Sequence, residues 1–233
     1  MVRGVVARVC AAAGIAGPVV FTAAWIVSSL RQTGHRAAAI QISGLAAADA
    51  RDPWIMITGF LVLGGCCVAF GEALHDAMGG RGQAGPAPRL IQGAGVLTIA
   101  AGLLRRDRML LTAGSVSWHN HAHDVISVVI YVDLVVAQLL LAARFRRDGV
   151  LRGAIRRGAI GPDCGRPGWR AWRPWLLTSA AATAVALTAF AVDTSAPDAG
   201  ILQRVAVTIP LAVITAIAVQ LVRTGGPPSA RVD

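Results

Sequence analysis

The stretch Trp118-His119-Asn120-His121-Ala122-His123-Asp124 concentrates more chemically capable side chains than any other part of the chain. On a helix, His119 and His123 stand one turn apart on one face, and His121 and Asp124 share another. On an extended segment, the histidines share one side. Neutral imidazoles beside a carboxylate suit zinc or a similar divalent ion. His119, His121, His123 and Asp124 are therefore the candidate metal ligands. The same residues also suit the start of a membrane-interface helix, with Asp124 favoured by the N-terminal dipole and the histidines bonded to nearby loops.

Ser43, Asp107 and Arg204 are the candidate catalytic residues. If they converge with His119 and His123 at one mouth of a helix bundle, a histidine-bound metal activates water. Arg204 then holds a phosphate, a carboxylate or the charge developing on an oxyanion. The matching substrate is a lipid or prenyl-linked molecule arriving laterally. Tyr131 and Asp133 fall inside an apolar run, where an ionisable group ordinarily faces the bundle interior with a partner. Gln138, Thr98 and Thr188 are the candidate partners for Asp133. Glu72, His75 and Asp76 end another run. Glu-x-x-His is the motif of di-metal carboxylate bundles, which need it from two helices. It occurs once here, so an arginine-paired helix end is expected instead. The chain has no Gly-x-Ser-x-Gly elbow, phosphate loop, dinucleotide fingerprint or His-Glu-x-x-His.

A membrane is what positions these residues. Of 233 residues, 55% are hydrophobic and 15% charged, where a soluble domain carries about 25% charge. The mean hydropathy is +0.60. This composition excludes disorder, a disulfide-rich scaffold and an ordinary soluble enzyme. All 22 basic residues are arginine and the net charge is +10. No basic stripe lies on a soluble domain, so the expected partner is a bilayer and not nucleic acid. Cys10, Cys66, Cys67 and Cys164 lack metal or disulfide spacing and read as packing residues.

Six apolar runs approach the length of a membrane crossing: Val9–Leu30, Trp54–Leu74, Leu90–Leu104, Val125–Ala143, Trp175–Val192 and Ile201–Val222. The third is short, with Met109–Val116 as a candidate extension beyond Arg105-Arg106-Asp107-Arg108. The expectation is an all-α, polytopic bundle of six transmembrane helices. Residues 1–224 form one domain and 225–233 a disordered tail. The first run follows Arg3 and Arg8 but is longer than a signal-peptide core, so a retained helix is expected. With both termini cytoplasmic, 15 arginines fall inside and 7 outside, as the positive-inside rule requires. That topology puts the candidate site on the outer face of the cell membrane. The cytoplasmic loop 144–174 pairs Leu151 with Ile155 and Arg152 with Arg156 at helical spacing. It suits a short helix on anionic inner-leaflet lipids, with Trp169, Trp172 and Trp175 at the interface. The many Ala and Gly residues permit close helix packing within the chain or in a homo-oligomer.

The order of several short elements resembles the bacterial and archaeal membrane family known as domain of unknown function 998. Gly14-Ile15-Ala16-Gly17-Pro18 is similar to the family's first-helix turn. Ile42-Ser43-Gly44-Leu45 is similar to its Ile-Ser-x-Leu element. Trp54 through Gly59-Phe60 to Gly64-Gly65 looks like its Gly-rich second helix. His119 to Asp124 looks like its His-rich lead into helix four, and Gly200-Ile201-Leu202-Gln203-Arg204 like its Gly-Leu-x-x-Arg. Arg105-Arg106-Asp107 stands where the family has Phe-Pro-x-Asp. The resemblance spans roughly residues 9–222 and implies a multi-pass membrane protein without an assigned activity. The Ser, Asp, His and Arg layout is also similar to that of intramembrane metal-dependent hydrolases of the ceramidase and adiponectin-receptor type.

Three functions fit these observations. One is metal-assisted lipid hydrolysis at the outer polar cluster. Another is non-catalytic lipid or small-molecule binding or transport, with that cluster as a hydrogen-bonded lid. The third is a structural membrane subunit.

Overall fold

Backbone N–H and C=O groups find no water in lipid, so an apolar chain of this kind folds into elements that satisfy their own backbone. The computed structural model describes residues 2–34, 36–80, 84–110, 116–155, 171–192, 194 and 197–223. Its regular elements are the helices α1 (Val2–Arg31), α2 (Pro53–Ala77), α3 (Ala87–Leu103), α4 (Trp118–Ile155), α5 (Trp172–Val192) and α6 (Ala199–Arg223). A short 3-10 turn, Ile42–Ala46, lies between α1 and α2. All but α3 are long and apolar enough to cross a membrane, which makes five such helices. With 17 residues, α3 is about 25 Å long. That is short of a hydrocarbon core of about 30 Å.

Two boundaries depart from the sequence expectation. α4 starts at Trp118, not Val125, and continues beyond Ala143 to Ile155. The early start has a cause in Ser117, whose Oγ accepts the Asn120 N–H at 3.3 Å as a helix cap. The basic stretch 144–155 is thus a continuation of α4, not a separate helix. The rest of that loop through residue 170, including Trp169, lies outside the described residues. So do His35, Asp193, Cys164, the tail 224–233 and most of the candidate extension after Arg108.

Each helix packs on its chain neighbours, and α6 returns to pack on α1, so the six form a closed ring. Large apolar side chains cover the outside of the ring. Val19, Leu61, Val96, Val128, Val185 and Val205 are exposed, one from each helix. Lipid tails are as apolar as these side chains, so contact between helices depends on close packing. The α2–α3 crossing shows this best. A Cβ on Gly64 would collide with the Gly95 carbonyl oxygen, and one on Gly95 would lie 2.6 Å from the Gly64 carbonyl oxygen. Neither backbone can yield without moving a helix.

At one end of the ring, Gln32 ties α1 to α2. Its amide nitrogen donates to Arg51 O and its amide oxygen accepts Arg51 N–H, both at 2.8 Å. The Arg31 guanidinium donates to Asp52 Oδ2 at 2.7 Å, holding that carboxyl below its ordinary range. At the opposite end Glu72 accepts from Gln92 at 2.9 Å and Arg89 at 3.3 Å, the expected arginine-paired helix end.

Candidate functional site

The α1–α2 connection does not hang in solvent. Gln41 through Ala47 are buried without a break, so this loop is a plug seated in one mouth of the ring. Arg204 on α6 anchors it. Its Nη1 donates to the carbonyls of Ala37 at 2.7 Å, Ile40 at 2.8 Å and its own Gly200 at 2.8 Å. Its guanidinium also lies 5.2 Å over the Trp25 ring, a cation–π distance. Gly200 lets α6 press this close, because a Cβ there would meet the Ile40, Ala37 and Ala38 carbonyl oxygens at 2.5, 2.6 and 2.8 Å. Deeper in, Gln203 Oε1 accepts the Ile42 N–H.

The α3–α4 connection closes over the plug. Arg106 is 2% exposed and is the centre of the contacts. Its Nη1 donates to Gln41 Oε1 and, at 3.1 Å, to Ser43 Oγ. Its Nη2 pairs with Asp124 Oδ1 at 3.2 Å. Gln41 passes the connection on, donating its amide to Thr194 O at 3.2 Å. One guanidinium therefore joins the plug to α4 and, through Gln41, to the α5–α6 connection. Burial pulls the Arg106 pKa down and the carboxylates of Asp124 and Asp107 pull it back up. The guanidinium of its exposed neighbour Arg105 donates to the Ala46 and Ala47 carbonyls, at 3.3 and 3.2 Å.

Asp107, expected as a catalytic carboxylate, forms a helix cap. Its two oxygens accept Ser117 Oγ–H at 2.6 Å and Ser117 N–H at 2.7 Å, and Ser117 in turn caps α4. These two bonds, first the hydroxyl and then the backbone, hold the Asp107 carboxyl below its ordinary range. The sign follows directly. A carboxylate with a depressed folded pKa stabilises fully above its unfolded value, about 3.9, and loses that contribution as pH falls through the lower folded value. Asp107→Ala is therefore expected to melt at a lower temperature than the native chain at pH 7. The gap should narrow as the pH is taken below the unfolded carboxylate value of about 3.9. Parallel melting curves at neutral and at low pH would show it, and a gap unchanged at low pH would contradict the cap.

The four candidate metal ligands engage separate surroundings. His119 Nδ1 lies 2.7 Å from Ser117 Oγ and 3.5 Å from Asp107. His121 is exposed. Asp124 meets Arg106 and also accepts the Asn120 amide at 2.9 Å. His123 is 2% exposed and turns inward, its Nδ1 at 2.8 Å from Ala101 O and 2.9 Å from Leu104 O. Helical spacing places His119 and His123 one turn apart, but their partners draw the rings to different neighbours. Among the described residues, the set of three potential ligands whose ligand atoms come within 4.8 Å of one another is Glu72, His75 and Asp76, at the far end of the ring.

Beneath the plug lies a cavity of about 70 Å³. Water needs roughly 10–15 Å³ of such space per molecule, so the cavity has room for several waters or for the end of a small organic group. Its plugged end carries Ser43, His123 and Gln203; Thr98, Ser127 and Tyr131 add hydroxyls to a wall otherwise formed by apolar residues such as Leu63, Leu134 and Leu211. From Gln203 to Leu211 along α6 the wall runs about 12 Å. Phe60 lines the same cavity and meets His123 edge-on at 6.4 Å. Asp133 stands apart, half-buried on α4, with Oδ2 near Gly93 of α3. The partners considered for it bond elsewhere: Thr98 donates to Ala94 O, Thr188 to Ala184 O, and Gln138 accepts from Ser179.

Ser43 is thus the one expected catalytic residue that reaches the cavity. Arg204 serves the plug and Asp107 the α4 cap. Arg106, Gln41 and Gln203 were not singled out by their spacing. The available signal was Arg106 itself, since an arginine at the end of an apolar run must find partners.

A ring of apolar helices with a polar plug and an amphipathic interior defines a multi-pass helical membrane protein. The family model described as a protein of unknown function, DUF998, matches residues 15–220. The chain belongs to that family. No curated protein and no solved structure matches it.

Proposed function

We propose that this chain is a non-catalytic binding protein of the cell membrane that holds a lipid-like molecule in the cavity beneath its plug. In this reading α3 completes six crossings, both termini are cytoplasmic and the plugged mouth is extracytoplasmic. The basic segment after α4 rests on anionic inner-leaflet headgroups. The observation that carries the reading is the cavity's lining, which is mostly apolar with a few hydrogen-bonding groups, Ser43, Thr98, His123, Ser127, Tyr131 and Gln203. Ligand sites of this kind combine an apolar body with a few placed polar groups. The plug closes the mouth with hydrogen bonds from α6 and the α3–α4 connection, so a ligand arrives laterally from the bilayer.

Metal-assisted hydrolysis requires His119 and His123 to share one ion. Their contacts with Ser117 and with the α3 carbonyls support the lid role for that segment instead.

A long-chain probe bearing a diazirine beside its head group tests the reading in lipid nanodiscs. Photolabelling is expected on cavity peptides of α3, α4 and α6. Ala94→Phe or Ser127→Phe, each placing a ring in the cavity, should reduce it at least about tenfold, a loss of about 1.4 kcal/mol in binding. Equal labelling of the native chain and both folded variants would sink the proposal.

A further inference from the structure

The hydrogen-bonding capacity left open in the cavity specifies the head of its ligand; this rests on the lipid-binding reading above. His123 Nδ1 sits between two carbonyl oxygens, which only accept, so Nδ1 carries the proton. In the neutral ring Nε2 is then a bare lone pair. It is buried and has no partner among the described residues. A buried acceptor is destabilising without a donor, and a ligand hydroxyl is one group that can supply it.

The two neighbours at the plugged end offer the opposite capacity. Ser43 Oγ accepts from Arg106, which leaves its own O–H to donate. Gln203 must present its oxygen to the Ile42 N–H, which leaves its amide N–H groups for the cavity. The His123 acceptor therefore stands with the Ser43 and Gln203 donors, and Ser127 and Tyr131 add hydroxyls along the same, mostly apolar lining. A phosphate or carboxylate head fails on two counts. It would put negative charge against the Nε2 lone pair, and Arg106, the nearby cation, is not part of the cavity wall. The Arg106 Nη groups are committed to Gln41, Ser43 and Asp124. A cavity of about 70 Å³ is under half the roughly 150 Å³ that admits benzene, so it takes the head and first few carbons of one chain, and the rest of the tail runs out between the helices.

We infer that the cavity takes a single-chain lipid with a neutral, hydroxyl-bearing head, its O–H donated to His123 Nε2 and its oxygen accepting from Ser43 and Gln203. Long-chain alcohols, monoacylglycerols and undissociated fatty acids share this chemistry.

Competition against the diazirine probe tests it in nanodiscs, with 1-dodecanol, its methyl ether, dodecyl phosphate and dodecane as competitors. Dodecanol is expected to compete at least about tenfold better than the ether, which cannot donate and leaves Nε2 unpaired. His123→Phe should abolish that preference while labelling persists. Ser43→Ala should weaken the alcohol severalfold, and it keeps the histidine contacts with α3 should the first variant fail to fold. Equal competition by alcohol and ether in the native chain would overturn the inference, as would phosphate competing best. In both cases labelling of the cavity still stands. No labelling of the native chain by the probe removes the lipid-binding reading, and the head assignment with it.

Discussion

Replacing Arg106 by Met is expected to destabilise the protein by about 3 kcal/mol, because removing one side of a buried, charge-assisted network leaves its partners unsatisfied. Gln41 Oε1, Ser43 Oγ and Asp124 Oδ1 would lose their donor together. Asp124 is 46% exposed in its side chain, so water takes up part of that loss, and the estimate stays at the lower end of the range for broken buried pairs. Lysine should not rescue the site, since one ammonium cannot reproduce a fork that serves three acceptors. Arg105→Ala is the control. Its side chain is exposed and its bonds are long, at 3.3 and 3.2 Å, and it should cost under about 1 kcal/mol. Reversible unfolding in mixed micelles would measure the set. Equal effects at the two arginines would contradict the central role of Arg106.

The second large effect is expected at the α2–α3 crossing. Gly95→Val would drive a branched side chain into the Gly64 carbonyl oxygen at 2.6 Å, Cys67 Cβ at 2.9 Å and Val68 N at 3.0 Å. Backbone atoms of α2 cannot move aside without spreading the helices, so a cost of about 3 kcal/mol or more is expected, at the upper end for overpacking. Both helices line the cavity, so ligand capture should fall with stability. Gly93→Ala, two residues away, meets nothing nearer than Asp133 Oδ2 at 3.7 Å. It should be neutral or gain up to about 1 kcal/mol from helix propensity. Circular dichroism melts of the pair separate steric contact from the general cost of altering a glycine.

Much of this architecture is legible in the sequence because bilayer thickness and backbone satisfaction restrict what an apolar run can become. The all-helical class and the membrane-length helices follow from run length alone. So does the arginine-paired end at Glu72, since a carboxylate there needs a cation and Arg89 is the nearest across the linker. The boundary of α4 is less accessible. It depends on Ser117 and Asp107, ten residues apart, meeting across a connection whose path hydropathy does not describe. The site is harder still. Arg105, Arg106 and Arg108 are equivalent in composition, yet Arg106 alone among them is buried, because the plug brings Gln41 and Ser43 to it from more than sixty residues away. Likewise, the His119–His123 spacing fixes a shared helix face but not what each ring meets. Asp107 and the α3 carbonyls decide that, and no periodicity encodes them. Glycines whose value is a close approach, such as Gly200, show only as glycines until the neighbouring carbonyls are in place.

Native mass spectrometry of the protein ejected from nanodiscs asks most directly whether the interior cavity holds a lipid. The native chain should carry one copurified adduct of single-chain lipid mass, displaced by added 1-dodecanol and missing from folded Ala94→Phe. A bare native chain, or the same adduct on the native chain and on Ala94→Phe, would contradict a ligand site beneath the plug.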